Sequence, residues 1–313
     1  MNHTGLTVVI PCYRGEHLVG DAIRSVLAQA GDGVEIIVVD DGSPDRSAQV
    51  VTAIGDARVR LVRHEKNRGI AAARNTGLAQ ARTEFVAFLD QDDLWLPGFV
   101  DAALGALCKA GAEKCVLAFC DEIARNARGG ERRVRVTLPA QRVLDAPRSL
   151  LGALLRERFV VLGASVIRRA VLVEIGGFDE RIRGGSDDFD VVVRLAERGG
   201  FVHIDGAHFV RRLHGQNYTN AELMIDESMA VIDRLLVRHP DLQADGRMGK
   251  ARRLYRRASD AMVQGRTARA RADYLASLRL YTWQPRAWLG LALSSSGGLG
   301  TVLAARWYRR RVG

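Results

Sequence analysis

Phe85-Val-Ala-Phe-Leu89 is an uncharged run of strand length that ends abruptly in three carboxylates, Asp90, Asp92 and Asp93. Such a run reads as a buried strand, which needs neighbours on both edges and cover on both faces. Side chains alternate along an extended chain, so Asp90 and Asp92 share one side while Gln91 and Asp93 face elsewhere. Two carboxylates on one side suit a hard divalent cation, Mn2+ or Mg2+, which keeps positions open for water and phosphate oxygens. The same acids equally suit the start of a loop, or the cap of a helix opened by Pro97, with Asp93 opening that helix. The spacing alone leaves these readings open.

The neighbours the strand needs are visible upstream. Residues 6–10, stopped by Pro11, and residues 35–39, ending in Asp40-Asp41-Gly42-Ser43, read as strands, and residues 58–62 as a shorter one. Between them, Leu18, Ala22, Ile23, Val26 and Leu27 mark one helix face. Ser43 is placed to cap a helix starting at Pro44, and residues 69–81 form an Ala-rich helix. Strands that alternate with helices over short connections pair in parallel through right-handed crossovers. Ligands of such sheets bind at the carboxyl ends of the strands. Residues 11–13, 40–41 and 90–92 therefore converge on one crevice.

Further along, strands are expected over 116–121, 134–138 and 160–167, and a helix over 147–158. A helix over 189–198 takes Ser186 or Asp187 as its N-cap, with short strands following at 202–204 and 208–213. From Glu222 the pattern is helical: 224–238 up to Pro240, then 250–264 and 267–280, joined at Gly265 as in a tetratricopeptide-like hairpin. The uncharged residues 287–305 reach the length of a membrane span, but their serines and glycines favour a surface-lying or buried helix.

A composition of 47% hydrophobic and 26% charged residues over 313 positions is that of a folded chain, not a disordered one. The four cysteines, Cys12, Cys108, Cys115 and Cys120, have neither paired CxxC spacing nor a histidine partner, which argues against a zinc site or disulfide framework. Cys12 reads as a small buried thiol. The first residues lack the pattern of a secretory signal, so a cytoplasmic location is expected. The net charge of +10 is concentrated near the end of the chain, where residues 246–313 hold 15 Lys or Arg against two acids, or +13, leaving −3 for the rest. Such a tail suits anionic lipid headgroups, nucleic acid or plain water. No nucleic-acid partner is expected, because no recognisable module or set of interleaved aromatics accompanies the charge.

Four stretches together, Val9-Ile-Pro-Cys-Tyr13, Val38-Val-Asp-Asp-Gly-Ser43, Asn67-Arg-Gly-Ile-Ala-Ala-Ala-Arg-Asn75 and Phe88-Leu-Asp-Gln-Asp-Asp93, resemble the family 2 glycosyltransferases in order and spacing. Gly176-Gly-Phe-Asp-Glu180 and Asp187-Asp-Phe-Asp190 resemble the acceptor half of that family. The resemblance covers about residues 6–218. It implies an α/β fold of the GT-A type, a Rossmann-like mixed sheet flanked by helices. Residues 1–218 would be the transferase domain, with 1–125 binding the nucleotide-sugar and 126–218 the acceptor, and 219–313 a basic α-helical extension. It further implies a nucleotide-diphospho-sugar donor, UDP-type favoured, a divalent cation (Mn2+ or Mg2+), a glycan or lipid-linked acceptor, and inversion. By resemblance, Pro11 and Tyr13 wall the donor's base, Asp41 reads it with Asp40 beside it, and Arg74 approaches the diphosphate. Asp92, with Asp90 as partner, matches the metal-binding DxD acid, and His214 a late histidine at the metal or diphosphate. Asp188 falls on the catalytic base, preceded by Asp187 where the family usually has Glu. Phe178 and Trp95 are read as packing around the acceptor opening. The tail is expected to hold the enzyme peripherally on the inner face of a membrane. The competing expectation is a binding or scaffold protein that keeps this fold without the chemistry.

Overall fold

The computed structural model describes residues 5–29, 31, 33–111, 114–134, 144–213 and 221–295. The chain divides into two compact units, one of Met1–Leu151 with Arg158–Tyr218 and one of Gly152–Glu157 with Thr219–Gly313.

In the first unit, β1 (Leu6–Cys12), α1 (Val19–Leu27), β2 (Val34–Asp40), α2 (Ser47–Thr52), β3 (Val59–Arg63), α3 (Ile70–Gln80) and β4 (Phe85–Phe88) alternate as the hydrophobic pattern dictates. The rest comprises β5 (Leu94–Trp95), α4 (Phe99–Ala110), β6 (Cys115–Asn126), β7 (Glu131–Val134), α5 (Pro147–Arg156), β8 (Ser165–Arg168), α6 (Arg169–Glu174), α7 (Asp187–Ala196) and β9 (Gly200–Leu213). Helix α5 runs on into the residues counted with the second unit. The sheet order is β3-β2-β1-β4-β8-β6-β9-β5, with β7 on β6. β3, β2, β1 and β4 are parallel, and β8 is antiparallel to both β4 and β6. The sheet is therefore mixed. Strands β1 and β2 are aliphatic almost throughout because both of their faces are covered. One face packs Leu6, Val8, Ile10, Phe85, Ala87 and Val166 against α1 and α4 in a common core. On the other face α3 comes so close that a Cβ on Gly77 would lie 2.3 Å from Val9 Cγ1.

Several boundaries differ from those read off the sequence. The helix expected from Pro44 starts at Ser47, because Ser43 is committed elsewhere: its amide donates to Asp40 Oδ1 and its Oγ accepts from the Arg14 amide. Asp45 instead accepts the Ser47 amide and hydroxyl. The segment after Asp93 is a two-residue strand, and α4 begins only at Phe99. The two short strands expected near 202 and 208 are one strand, β9, whose register against β6 slips at Asp121 while Gly206 takes φ +108°. β7 precedes the strand expected at 134–138, and residues 135–143 lie outside the described residues.

The second unit holds α8 (Ala221–Arg238), α9 (Gln243–Val263), α10 (Thr267–Leu280) and α11 (Pro285–Ser295). Ala258, Ala261, Met262, Ala270, Tyr274, Leu278 and Ala287 form its own apolar cluster. Small residues allow close approach here, and a Cβ on Gly290 would lie 2.3 Å from Tyr274 Cζ. Gly265, at φ +74°, makes the turn between α9 and α10. Among the described residues no helix is long and apolar enough to cross a membrane.

Candidate functional site

The carboxyl ends of β1, β2 and β4 lie side by side, because Cys12 pairs with Asp40 and Val9 with Phe88. At the end of β2, Asp40 and Asp41 have separate jobs. Asp40 is fully buried; its Oδ1 accepts the Ser43 amide and its Oδ2 accepts Arg63 Nε at 2.9 Å. Asp41 reaches across to the loop before α3, where Oδ1 meets His64 Nδ1 at 2.7 Å and the Arg68 amide at 2.9 Å, and Oδ2 accepts the Gly69 amide at 2.8 Å. One buried carboxylate thus shapes residues 64–69 into a cradle beside β2. Gly42 is indispensable to it: its φ is +69°, and a Cβ there would lie 2.7 Å from the Lys66 carbonyl carbon.

At the end of β4, Gln91 forms a clamp to β1, accepting the Tyr13 amide at 2.9 Å and donating to the Tyr13 carbonyl at 3.0 Å. Pro11 is buried in β1, while the Tyr13 ring is partly exposed with the Arg14 guanidinium 5.4 Å from its centroid. Asp90 leaves 40% of its side chain exposed. The Asp92 carbonyl accepts from Arg212 Nε. Asp93 is buried, accepts the Arg212 amide at 3.0 Å, and is pushed well above the usual carboxylate range by burial and by the charges of Asp92 and Asp90. It ties β4 to β9.

Arg74 joins the halves of the site. From the first turns of α3 its guanidinium donates to Asp90 Oδ1 at 2.7 Å and Asp187 Oδ2 at 2.5 Å, over the Phe178 ring at 5.5 Å. Burial works against its charge, but Asp90 and Asp187 outweigh burial and its pKa is raised. Its Nε has no partner among the described residues. Asp187, at the start of α7, is itself raised by burial despite Arg74. Asn75 fastens the preceding loop by accepting the Phe178 amide and donating to the Phe178 carbonyl. The next residue, Asp188, is a quarter exposed, and Arg158 Nη2 donates to both of its oxygens, at 2.8 and 2.7 Å. Arg158 lies over the Phe189 ring, with its guanidinium carbon 5.5 Å from the centroid.

The structure brings Asp90, Arg74, Asp187 and Phe178 into direct contact and sets Asp188 next in sequence to Asp187. Trp95 is elsewhere. It is buried, donates to the Gly163 carbonyl at 2.7 Å, and stands edge-on to Phe99 in the core at 4.7 Å. Phe178 is the floor under Arg74, packed edge-on to Phe88 at 4.8 Å. His214 lies outside the described residues. Two residues the sequence reading passed over organise the site: Gln91, signalled by its place between the acids, and Arg158, for which no local signal exists. Among the described residues no group of three or more His, Cys, Asp or Glu gathers for a metal. The donors at the β4 end are all oxygen, from Asp90 and Asp92, a set that fits Mg2+ or Mn2+ better than zinc.

A mixed sheet of this order carries acids at the ends of β2 and β4, and an arginine links the β4 acid Asp90 to α7. The sequence model for glycosyl transferase family 2 matches residues 7–175, more than half of the chain, and the chain belongs to that family. The UDP-Glc:alpha-D-GlcNAc-diphosphoundecaprenol beta-1,3-glucosyltransferase WfgD of Escherichia coli is 36% identical over 104 residues, 33% of this chain and 41% of that protein. The pre-mycofactocin glycosyltransferase of Mycobacterium tuberculosis is 30% identical over 251 residues, 78% of this chain and 50% of that one. The succinoglycan biosynthesis protein ExoU of Rhizobium meliloti is 29% identical over 255 residues, 77% of this chain and 72% of that one. The chain thus spans about half or less of the length of the first two. In fold it is similar to TarS of S. aureus, solved in complex with UDP-GlcNAc, with a TM-score of 0.62 at 16% identity over 98% of this chain and 92% of that one. The GT-A fold is established by that likeness.

Proposed function

We propose that the first unit transfers a sugar from a UDP-type nucleotide-diphospho-sugar to a hydroxyl of a glycan or lipid-linked acceptor, with inversion, in cell-surface polysaccharide synthesis at the cytoplasmic side of a membrane. The observation that carries this reading is the Arg74 bridge, which joins Asp90 at the end of β4 to Asp187 beside Asp188. One donor-side acid and the residue next to the candidate base are thereby held on one guanidinium. The UDP-Glc and diphosphoundecaprenol in the name of the E. coli relative, and the UDP-GlcNAc complex of TarS, support the donor and acceptor classes.

In this reading the base of the donor lies between Pro11, Tyr13 and the cradle that Asp41 shapes, where Asp41 Oδ2 has accepted a single hydrogen bond. Asp90 and Asp92 hold Mn2+ or Mg2+, whose chemistry when bound is to offset the charge that develops on the leaving diphosphate. His214 is proposed as a further ligand. Asp188 accepts the proton of the acceptor hydroxyl as that oxygen attacks the anomeric carbon on the face opposite the diphosphate. A single base suffices for one displacement with inversion. Arg158 holds Asp188 in place, with both of its oxygens on one Nη2 and the imperfect angle this implies. Arg74 fixes the distance between donor and base.

The test is transfer with a panel of UDP-sugars and Mn2+. Asp188→Asn lowers turnover by about 10²–10⁴-fold, the span of one general base, with UDP retention unchanged. Arg158→Ala lowers kcat without raising the donor KM, and Arg158→Lys restores part of it. Asp92→Ala removes the dependence of UDP retention on Mn2+. If UDP is retained but no UDP-sugar is turned over, the chain is a binding protein on a transferase fold, and turnover that Asp188→Asn leaves unchanged removes Asp188 from the role of base.

A further inference from the structure

The corner between α10 and α11 exposes what a folded unit ordinarily hides. Trp283 is 84% exposed, Trp288 51% and Leu289 52%. In the first turns of α11, Pro285, Trp288 and Leu289 are spaced i, i+3 and i+4, so they share one side of the helix. Trp283 stands at the turn before it. Trp288 is held there rather than loose, since its Nε1 donates to the Thr282 carbonyl at 3.0 Å. Isolated exposed apolar residues are ordinary, but two tryptophans and a leucine contiguous on one corner mark an interaction surface.

The charge around this corner is one-sided. Arg279 and Arg286 are exposed at its edges, and neither forms an ion pair among the described residues. Asp273, the single acid from residue 261 onward, is buried and engaged by Arg257 and Arg269. Residues 261–295 therefore offer indole rings, a leucine and guanidinium groups, with no outward-facing carboxylate of their own. Tryptophan settles at the boundary between headgroups and acyl chains, and arginine beside it meets anionic headgroups. A protein partner would have to be both apolar and acidic, whereas an anionic bilayer supplies both properties at one boundary.

We propose that the Trp283, Trp288 and Leu289 corner of the second unit is a docking surface for an anionic lipid bilayer, with Arg279 and Arg286 meeting the headgroups. This deepens the proposed function by naming the surface at which a lipid-linked acceptor is met, and it rests on that reading only for its purpose. The basic residues 306–311 add to the attraction by their charge alone.

The test is flotation of the full chain with vesicles of phosphatidylcholine containing phosphatidylglycerol, against vesicles of phosphatidylcholine only. The expected result is binding to the anionic vesicles that weakens at high salt. Arg279→Ala with Arg286→Ala weakens it by about thirtyfold, taking ~1 kcal/mol for each basic residue at the surface. Trp283→Ala weakens it several-fold without altering the melting temperature, because that ring is almost fully in solvent. The proposal is overturned if the full chain floats equally with neutral vesicles or with neither. It is likewise overturned if both variants bind as the parent does, or if Trp283→Ala changes only the oligomeric state seen by light scattering. UDP retention is measured on the same preparations. Vesicle binding without UDP retention sinks the transferase reading alone, and the reverse result sinks the docking surface alone.

Discussion

Asp93 and Asp90 stand three positions apart and serve opposite ends. Asp90 remains accessible, with Arg74 on one of its oxygens, whereas Asp93 is enclosed between the end of β4 and the Arg212 amide. Burial raises Asp93 well above the usual value, so the folded chain holds its proton at pH values where the unfolded chain has released it. By linkage, the stability this group contributes is fully present below its unfolded pKa, about 3.9, and is lost as pH rises through the folded value. Asp93→Asn keeps an oxygen to accept the Arg212 amide and removes the titration. The variant is expected to melt higher than the parent at pH 7, by about 2 °C or more, with the two curves converging towards pH 4. A variant that melts lower at pH 7 would mean that a charged Asp93 is needed. Cys12 is governed by the same physics: burial pushes its thiol up to about 12, which keeps it protonated and inert in the core.

The loop between β3 and α3 shows how one glycine and one carboxylate position an element. Gly42→Ala would place a Cβ 2.7 Å from the Lys66 carbonyl carbon and 2.9 Å from the Asn67 nitrogen, at φ +69°. Both neighbours are backbone, so neither can swing aside. The substitution is expected to cost about 1–3 kcal/mol, raise the KM for the donor, and speed hydrogen exchange of the Arg68 and Gly69 amides that Asp41 accepts. Gly55→Ala is the control. It has a similar φ, +67°, but open space around it, so it should bear the conformational cost without disturbing the donor site. The strands and the α3 helix were legible in the sequence because full burial on both faces leaves unbroken aliphatic runs, as in residues 6–10 and 35–39. The start of α2 was not, since Ser43 is drawn off by the Arg14 amide, a partner 29 residues away. Nor was β9 as one strand, since the bulge at Asp121 and Gly206 imitates a turn. In the site, acids at strand ends announce themselves by position. Arg158 does not, because an ion pair with Asp188 across 30 residues leaves no periodicity to read.

The first unit has a continuous apolar core between sheet and helices. In the second, α8 and α9 bury Ile225, Val231, Ile232, Leu235 and Leu254, and Ala258, Ala261, Met262, Ala270, Tyr274, Leu278 and Ala287 form a separate cluster. Buried polar contacts add to these. Arg257 and Asp273 are both buried and joined twice, Nε to Oδ2 at 2.9 Å and Nη2 to Oδ1 at 2.8 Å, between α9 and α10. Removing one partner of such a pair strands the other charge, at about 3–5 kcal/mol. Asp273→Ala is therefore expected to lower the unfolding transition of the second unit in calorimetry. Asp226 remains as a second acceptor for Arg257, which sets the loss towards the lower end of that range. UDP retention should persist in the folded fraction, since every residue proposed to meet the donor belongs to the first unit. Vesicle flotation should fall with the same variant, because the α10 to α11 corner depends on those helices being packed. Loss of UDP retention at temperatures where the first unit is still folded would show that the donor site draws on the second unit as well, and the division of labour proposed here would have to be redrawn.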